Sequence, residues 1–121
     1  MEEYRKDDEL ARCMVEWGWR YHHVGIPTRQ VRPGETYLPH LKFSVSGFAS
    51  SPFGAEWMRF DEECGMHETV PHIAFVVEDL DFELATRGFT ILTKPNPPSE
   101  GVRVAMIEHN GVPIELIEFS S

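Results

Sequence analysis

The chain has 121 residues, 41% of them hydrophobic and 12% aromatic, which suits one domain with its own core and excludes a disordered chain. Its formal net charge of −9, from 20 acidic against 11 basic residues, argues against nucleic acid and against an anionic membrane surface as partners. The charged first ten residues carry no apolar segment of a secretory leader and no run reaches membrane-span length, so a cytoplasmic protein is expected, with Cys13 and Cys64 as isolated reduced thiols.

Residues 2–17 contain neither Gly nor Pro, and Leu10, Met14 and Trp17 recur on one helical face. This predicts an N-terminal amphipathic helix over 1–18, ended by Gly18 and packed outside the domain or across a homodimer interface. Trp19 and Tyr21 start a strand that runs to about Pro27. Residues 29–39 hold the turn signal Pro33-Gly34 and are too broken for a helix. Residues 41–48 alternate Leu41, Phe43 and Val45 with Lys42, Ser44 and Ser46, as a strand with one wet face does. A Ser/Pro/Gly loop over 49–54 leads to a strand over 56–61, and the polar stretch 62–70 reads as a linker.

The second half is more regular. A strand over 73–78 is followed by a short helix that Asp79 or Asp81 can cap, running to about Thr86 and closed by Gly88. Residues 89–93 form a strand, and the Pro-rich stretch 94–101 reads as a rim loop, a connection or a lid. Strands over 102–108 and 112–119 flank Asn110-Gly111, a two-residue hairpin signal.

The two halves resemble each other. Placing His23 on His72 brings Gly25 onto Ala74, and placing AEWMRF on IELIEF brings Glu56 onto Glu115 and Phe60 onto Phe119. Each half opens on a strand bearing a histidine and closes on a strand bearing a glutamate. The hairpin adds a face argument. With His109 paired to Val112, Glu115 shares an apolar face with Val104, Met106 and Ile117, while Glu118 opposes Arg103 on the other face. An unpaired carboxylate on an apolar face needs a cationic partner, and a metal ion meets that need.

The motifs HHVGI, PHIAFVVEDLD and GVPIELIEF, in this order over residues 22–119, resemble the vicinal oxygen chelate superfamily of glyoxalases, bleomycin-resistance proteins and extradiol dioxygenases. The resemblance implies an α+β fold of two βαβββ-type modules, here 19–65 and 66–121 of a single domain, curled into a cupped mixed sheet. The first half shows no obvious helix and reads as one strand short. The resemblance also implies a divalent ion in the cup, held by His23, Glu56, His72 and Glu115, in the His-Glu-His-Glu order of glyoxalase I. Such mixed N/O ligation suits Zn, Ni, Co, Mn or Fe and leaves positions open for a substrate that chelates through adjacent oxygens. The implied chemistry is that of a lyase, isomerase or epimerase, with proton abstraction to an enediolate and a glutamate, Glu115 or Glu56, as base.

Other residues weigh less in this reading. His22 is one residue out of phase with His23 and is expected to face away from the cup, while His40, His67 and His109 fall in loops or at a turn. Arg29 and Arg32 are placed to grip an anionic substrate or to serve as surface charge. Two alternatives stand beside the enzyme. One is a small-molecule binding protein of the bleomycin-resistance type, which needs no metal. The other is dioxygenase-like chemistry, which uses two His and one Glu and leaves Glu56 surplus.

Overall fold

The computed structural model describes residues 9–39, 41–61 and 69–120. Its elements, in chain order, are α1 (Arg12–Val15), β1 (Arg20–Pro27), β2 (Thr36–Leu38), β3 (Phe43–Ser46), β4 (Ala55–Phe60), β5 (His72–Val76), α2 (Leu80–Thr86), β6 (Thr90–Ser99), β7 (Val102–His109) and β8 (Val112–Phe119). All eight strands join one curled mixed sheet in the order β2-β3-β4-β1-β5-β8-β7-β6. That order has the same pattern from either end. β1 pairs with β4 in parallel, β5 pairs with β8 in parallel, and the central β1–β5 pair is antiparallel.

The registers carry the internal repeat down to single residues. Gly25 pairs with Glu56 in the first half, and Ala74 pairs with Glu115 in the second. These are the positions that the sequence alignment matches. The same holds one strand further out, where Val45 pairs with Met58 and Val104 with Ile117. The final hairpin has its expected register, with Met106 opposite Glu115 and Arg103 opposite Glu118. Asn110 and Gly111 both take positive φ, 50° and 83°, as a tight two-residue turn requires.

The convex side of the second half holds the main core. Trp19, Phe75, Val77, Leu80, Ala105, Ile107 and Leu116 pack together beneath α2. Helix α2 starts where Asp79 accepts a hydrogen bond from the Phe82 amide at 3.0 Å. The indole of Trp19 donates to the buried Glu83, which is also paired to Arg87. This network fastens the entry to β1 against α2.

Several expectations are corrected. Among the described residues, the expected N-terminal helix is the single turn Arg12–Val15, with residues 9–11 outside it. Its N-cap, Ala11, offers no side-chain acceptor, and Leu10 and Val15 are exposed, so only Cys13, Met14 and Trp17 hold this segment to the core. Residues 1–8 of that expected helix, the linker residues 62–68 with Cys64 and His67, and His40 lie outside the described residues. The first half is not short of a strand, since β2 pairs with β3 at the sheet edge. The Pro-rich stretch is not a loop either. It continues β6 to Ser99, with three register shifts against β7, and as an edge strand it tolerates prolines that a central strand would reject.

Among the described residues the first half has no helix between β1 and β2, and a different segment covers its convex side. Residues 28–35 carry Arg32, which lies 4.4 Å over the Trp57 ring, and Glu35, which takes two hydrogen bonds from Arg59 at 2.8 and 2.9 Å. This segment covers the face that the sequence marks as wet, so Ser44 and Ser46 are buried rather than solvated. Among the described residues no helix is long and apolar enough to cross a membrane.

Candidate functional site

The concave face of the sheet encloses a cavity of about 360 Å³ whose floor carries His23, Glu56, His72 and Glu115. The floor lies where the two halves meet. His23 stands opposite Ala74, and His72 stands opposite Gly25, across the antiparallel β1–β5 pair. Each imidazole therefore crosses a small residue of the other half. From the flanking parallel strands, Glu56 projects beside Gly25 and Glu115 beside Ala74. One wall is apolar, built by Leu38, Leu41, Phe43, Val45, Met58 and Phe60 of the first half. The opposite wall adds Thr93, Asn96, Pro98, Val104 and Met106.

All four floor residues predicted from the sequence thus reach one cavity, but they are not equivalent. Glu115 Oε1 lies 3.2 Å from His23 Nε2 and 3.3 Å from His72 Nε2. His23, His72 and Glu115 offer ligand atoms within 4.8 Å of one another, a spacing that could hold a metal ion. Glu56 stands further off, with Oε1 at 3.9 Å from His23 Nε2. Both ring nitrogens of His72 are buried without a well-aligned hydrogen bond, Nε2 having only its 3.3 Å contact with Glu115 Oε1. An imidazole that is 2% exposed and so poorly satisfied by its neighbours has a ring nitrogen whose lone pair a metal ion would take up. Two imidazoles and one or two carboxylates are also the donor set that suits a divalent transition metal. The residues present therefore fit such an ion.

Electrostatics separate the two glutamates. Burial raises the Glu56 carboxyl above its ordinary value, with Glu115 adding to the rise and His23 opposing it. Burial also pushes Glu115 upward, but the imidazoles of His23 and His72 outweigh it and hold that carboxyl down at about 2. One acid is tied to the imidazoles. The other sits nearby with its proton affinity raised.

Two residues of the site escape the sequence reading. Gly25 is one: a Cβ built there would run into the His72 ring, so the imidazole occupies space that any side chain at this position would fill. His22 is the other. It does not face away from the cup. The β1–β5 register slips between Tyr21 and His23, and His22 is the extra residue of that bulge. Its Nδ1 lies 2.6 Å from His23 Nδ1. Arg32 lies against Trp57 on the convex face rather than in the cup, and Arg29 lines a separate open pocket with Arg59, Phe60 and Asp61. His109 stands exposed at the hairpin turn beside Asn110.

The curled eight-stranded mixed sheet is the glyoxalase-like fold. Among solved structures, the chain is similar to the hypothetical protein BH1468 from Bacillus halodurans C-125, with 17% identity and a TM-score of 0.63 over 85% of this chain and 96% of that one. It is also similar to methylmalonyl-CoA epimerase from Mycobacterium tuberculosis, with 18% identity and a TM-score of 0.59 over 84% of this chain and 89% of that one. No protein-family model and no curated protein sequence matches the chain. At these identities the likeness is one of fold.

Proposed function

We propose that the chain is a metal-dependent enzyme of the glyoxalase type, a lyase, isomerase or epimerase that moves a proton on carbon in a small substrate with adjacent oxygens. The observation that carries this reading is the buried His72 with His23 and Glu115, their ligand atoms within 4.8 Å of one another, and a second carboxylate, Glu56, left over. His23, His72 and Glu115 would hold the ion, and Glu56 is the reserve ligand or the base. A divalent ion held there would supply Lewis acidity toward the substrate's adjacent oxygens. Glu56 holds and moves the proton at its carboxylate oxygens, and burial raises its proton affinity toward the range that a general base needs. The apolar walls exclude water from that transfer and receive the uncharged remainder of the substrate. An epimerase among the structural neighbours supports a proton-transfer reaction over other uses of the fold.

Elemental analysis of the purified chain tests this reading, and about one divalent ion per chain is expected. A chain that takes up no metal is a binding protein of the bleomycin-resistance type instead. A second reading has one observation in its favour: the tight trio has two His and one carboxylate, the donor set of non-haem iron oxygenases, with Glu56 outside it. Oxygen consumption by the Fe²⁺-loaded protein with a catechol would favour that reading. Proton exchange with solvent at a substrate carbon, without oxygen uptake, would favour the first.

A further inference from the structure

We propose that His22 is the positioning residue for His23, accepting the Nδ1 proton of His23 so that its Nε2 lone pair points at the metal position. The inference rests on the reading of His23 as a metal ligand. Adjacent residues of a regular strand point to opposite faces, which would keep His22 away from the cup. The bulge breaks that alternation. Tyr21 pairs with Phe75 and His23 with Ala74, so one residue on β5 is passed while two are passed on β1. Both imidazoles then stand side by side, their Nδ1 atoms 2.6 Å apart in a hydrogen bond in which one ring donates and the other accepts. The His22 ring is itself fixed, stacked on Phe48 with centroids 5.3 Å apart and planes 10° apart, and tilted against Phe119 at 6.0 Å. His23 Nε2 meanwhile faces Glu115 Oε1 at 3.2 Å.

A ligand imidazole needs a partner on its other nitrogen to set both its tautomer and its ring plane. For His23 the structure provides that partner in the neighbouring residue, whereas most sites draw it from another element. An imidazole partner also works both ways. Without the ion, His22 can donate to His23 Nδ1 while His23 Nε2–H faces Glu115. With the ion, His23 donates its Nδ1–H and His22 accepts. The pair then holds the ring in one orientation in both states.

The test compares wild type, His22→Leu and His22→Asn in the full chain, each checked for folding by circular dichroism. Co²⁺ titration followed by visible absorption should show His22→Leu weaker on the order of 10–100-fold, the usual loss when a ligand's outer partner is removed. His22→Asn keeps a polar group near the Nδ1 position and should recover most of that affinity. In the metal-free wild type with isotope-labelled histidines, scalar coupling across the Nδ1···Nδ1 hydrogen bond should link the two rings. Absence of that coupling overturns the inference, whether or not His22→Leu folds. Co²⁺ affinity indifferent to His22 overturns it as well, and so does a His22→Asn chain as weak as His22→Leu, because bulk alone then matters. A wild type that takes up no Co²⁺ overturns the metal reading itself, and with it this role, whereas uptake that ignores His22 leaves the metal reading standing.

Discussion

Gly25 faces His72 across the β1–β5 pair, and the imidazole fills the space that a Cβ at Gly25 would take. The φ at this glycine is not in the positive range, so the constraint is steric and comes from the site rather than from the backbone. Gly25→Ala should displace the ring, lower stability by about 1–3 kcal/mol through overpacking, and empty the metal site. Ala74→Gly is the control. It stands opposite His23 in the equivalent position, costs about 0.5–1 kcal/mol through backbone freedom, and should keep the metal. Urea unfolding and metal content on the two variants separate loss of stability from loss of the site.

Glu115 and Glu118 lie three residues apart on β8 and do different work. Glu115 faces His23 and His72, while Glu118 accepts a hydrogen bond from the Leu80 amide at 2.9 Å and one from Arg103 at 3.2 Å. Glu118 is therefore more than the partner of a surface pair, because it serves the start of α2. Glu118→Ala should cost about 0.5–2 kcal/mol, as loss of a helix-start acceptor does, and leave metal content unchanged. Glu115→Gln should empty the site. It should also remove a pH-dependent stabilisation. The folded carboxyl is depressed from 4.5 to about 2, so its contribution is present above 4.5 and is lost as the pH falls toward 2. Acid titrations of the metal-free proteins should therefore converge at the acid end.

Most of this geometry was legible before the fold was known, and for identifiable reasons. The Asn110-Gly111 turn fixes the register of β7 and β8, and that register alone separates Glu115 from Glu118. The repeat aligns Gly25 with Ala74 and Glu56 with Glu115, and the strand registers reproduce that match. What escaped depends on contacts between distant residues. The bulge at His22 arises from pairing with β5 and reverses a face assignment that simple alternation makes. The burial of Ser44 and Ser46 depends on Arg32 and Glu35 folding across Trp57 and Arg59, which no local pattern announces. The Pro-rich part of β6 is a strand only because it forms the edge of the sheet.

Glu56 should show a pH dependence opposite to that of Glu115. Its folded carboxyl is raised by burial, so ionisation works against the fold. The sign follows directly: stability is highest below the ordinary value of 4.5 and falls as the pH rises through the raised one. Metal-free Glu56→Gln should therefore melt at a higher temperature than wild type at neutral pH, and the gap should close at about pH 4. The same variant should lose proton exchange at the substrate carbon. A neutral-pH melting temperature at or below that of wild type would mean that Glu56 is solvated in the free protein and is not the poised base.

The walls of the cavity predict what the substrate carries besides its chelating oxygens. Leu38, Leu41, Phe43, Val45, Met58 and Phe60 make one side of it, and no Lys or Arg lines it among the described residues. The two half-buried glutamates on the floor would already balance a divalent ion, so a further charged group would enter an apolar space without compensation. Alkyl hydroxamates, which chelate through adjacent oxygens, provide the probe. On the Co²⁺-loaded protein, lengthening the alkyl tail should tighten binding by roughly 4-fold per methylene, about 0.8 kcal/mol each, until the cavity is filled. A terminal carboxylate or ammonium on the same tail should cancel the gain. Phe43→Ser should flatten the dependence on tail length while leaving acetohydroxamate, which has almost no tail, close to its wild-type affinity. Calorimetry on this series decides the matter: affinity independent of tail length, or improved by a charged terminus, would place the rest of the substrate outside this wall.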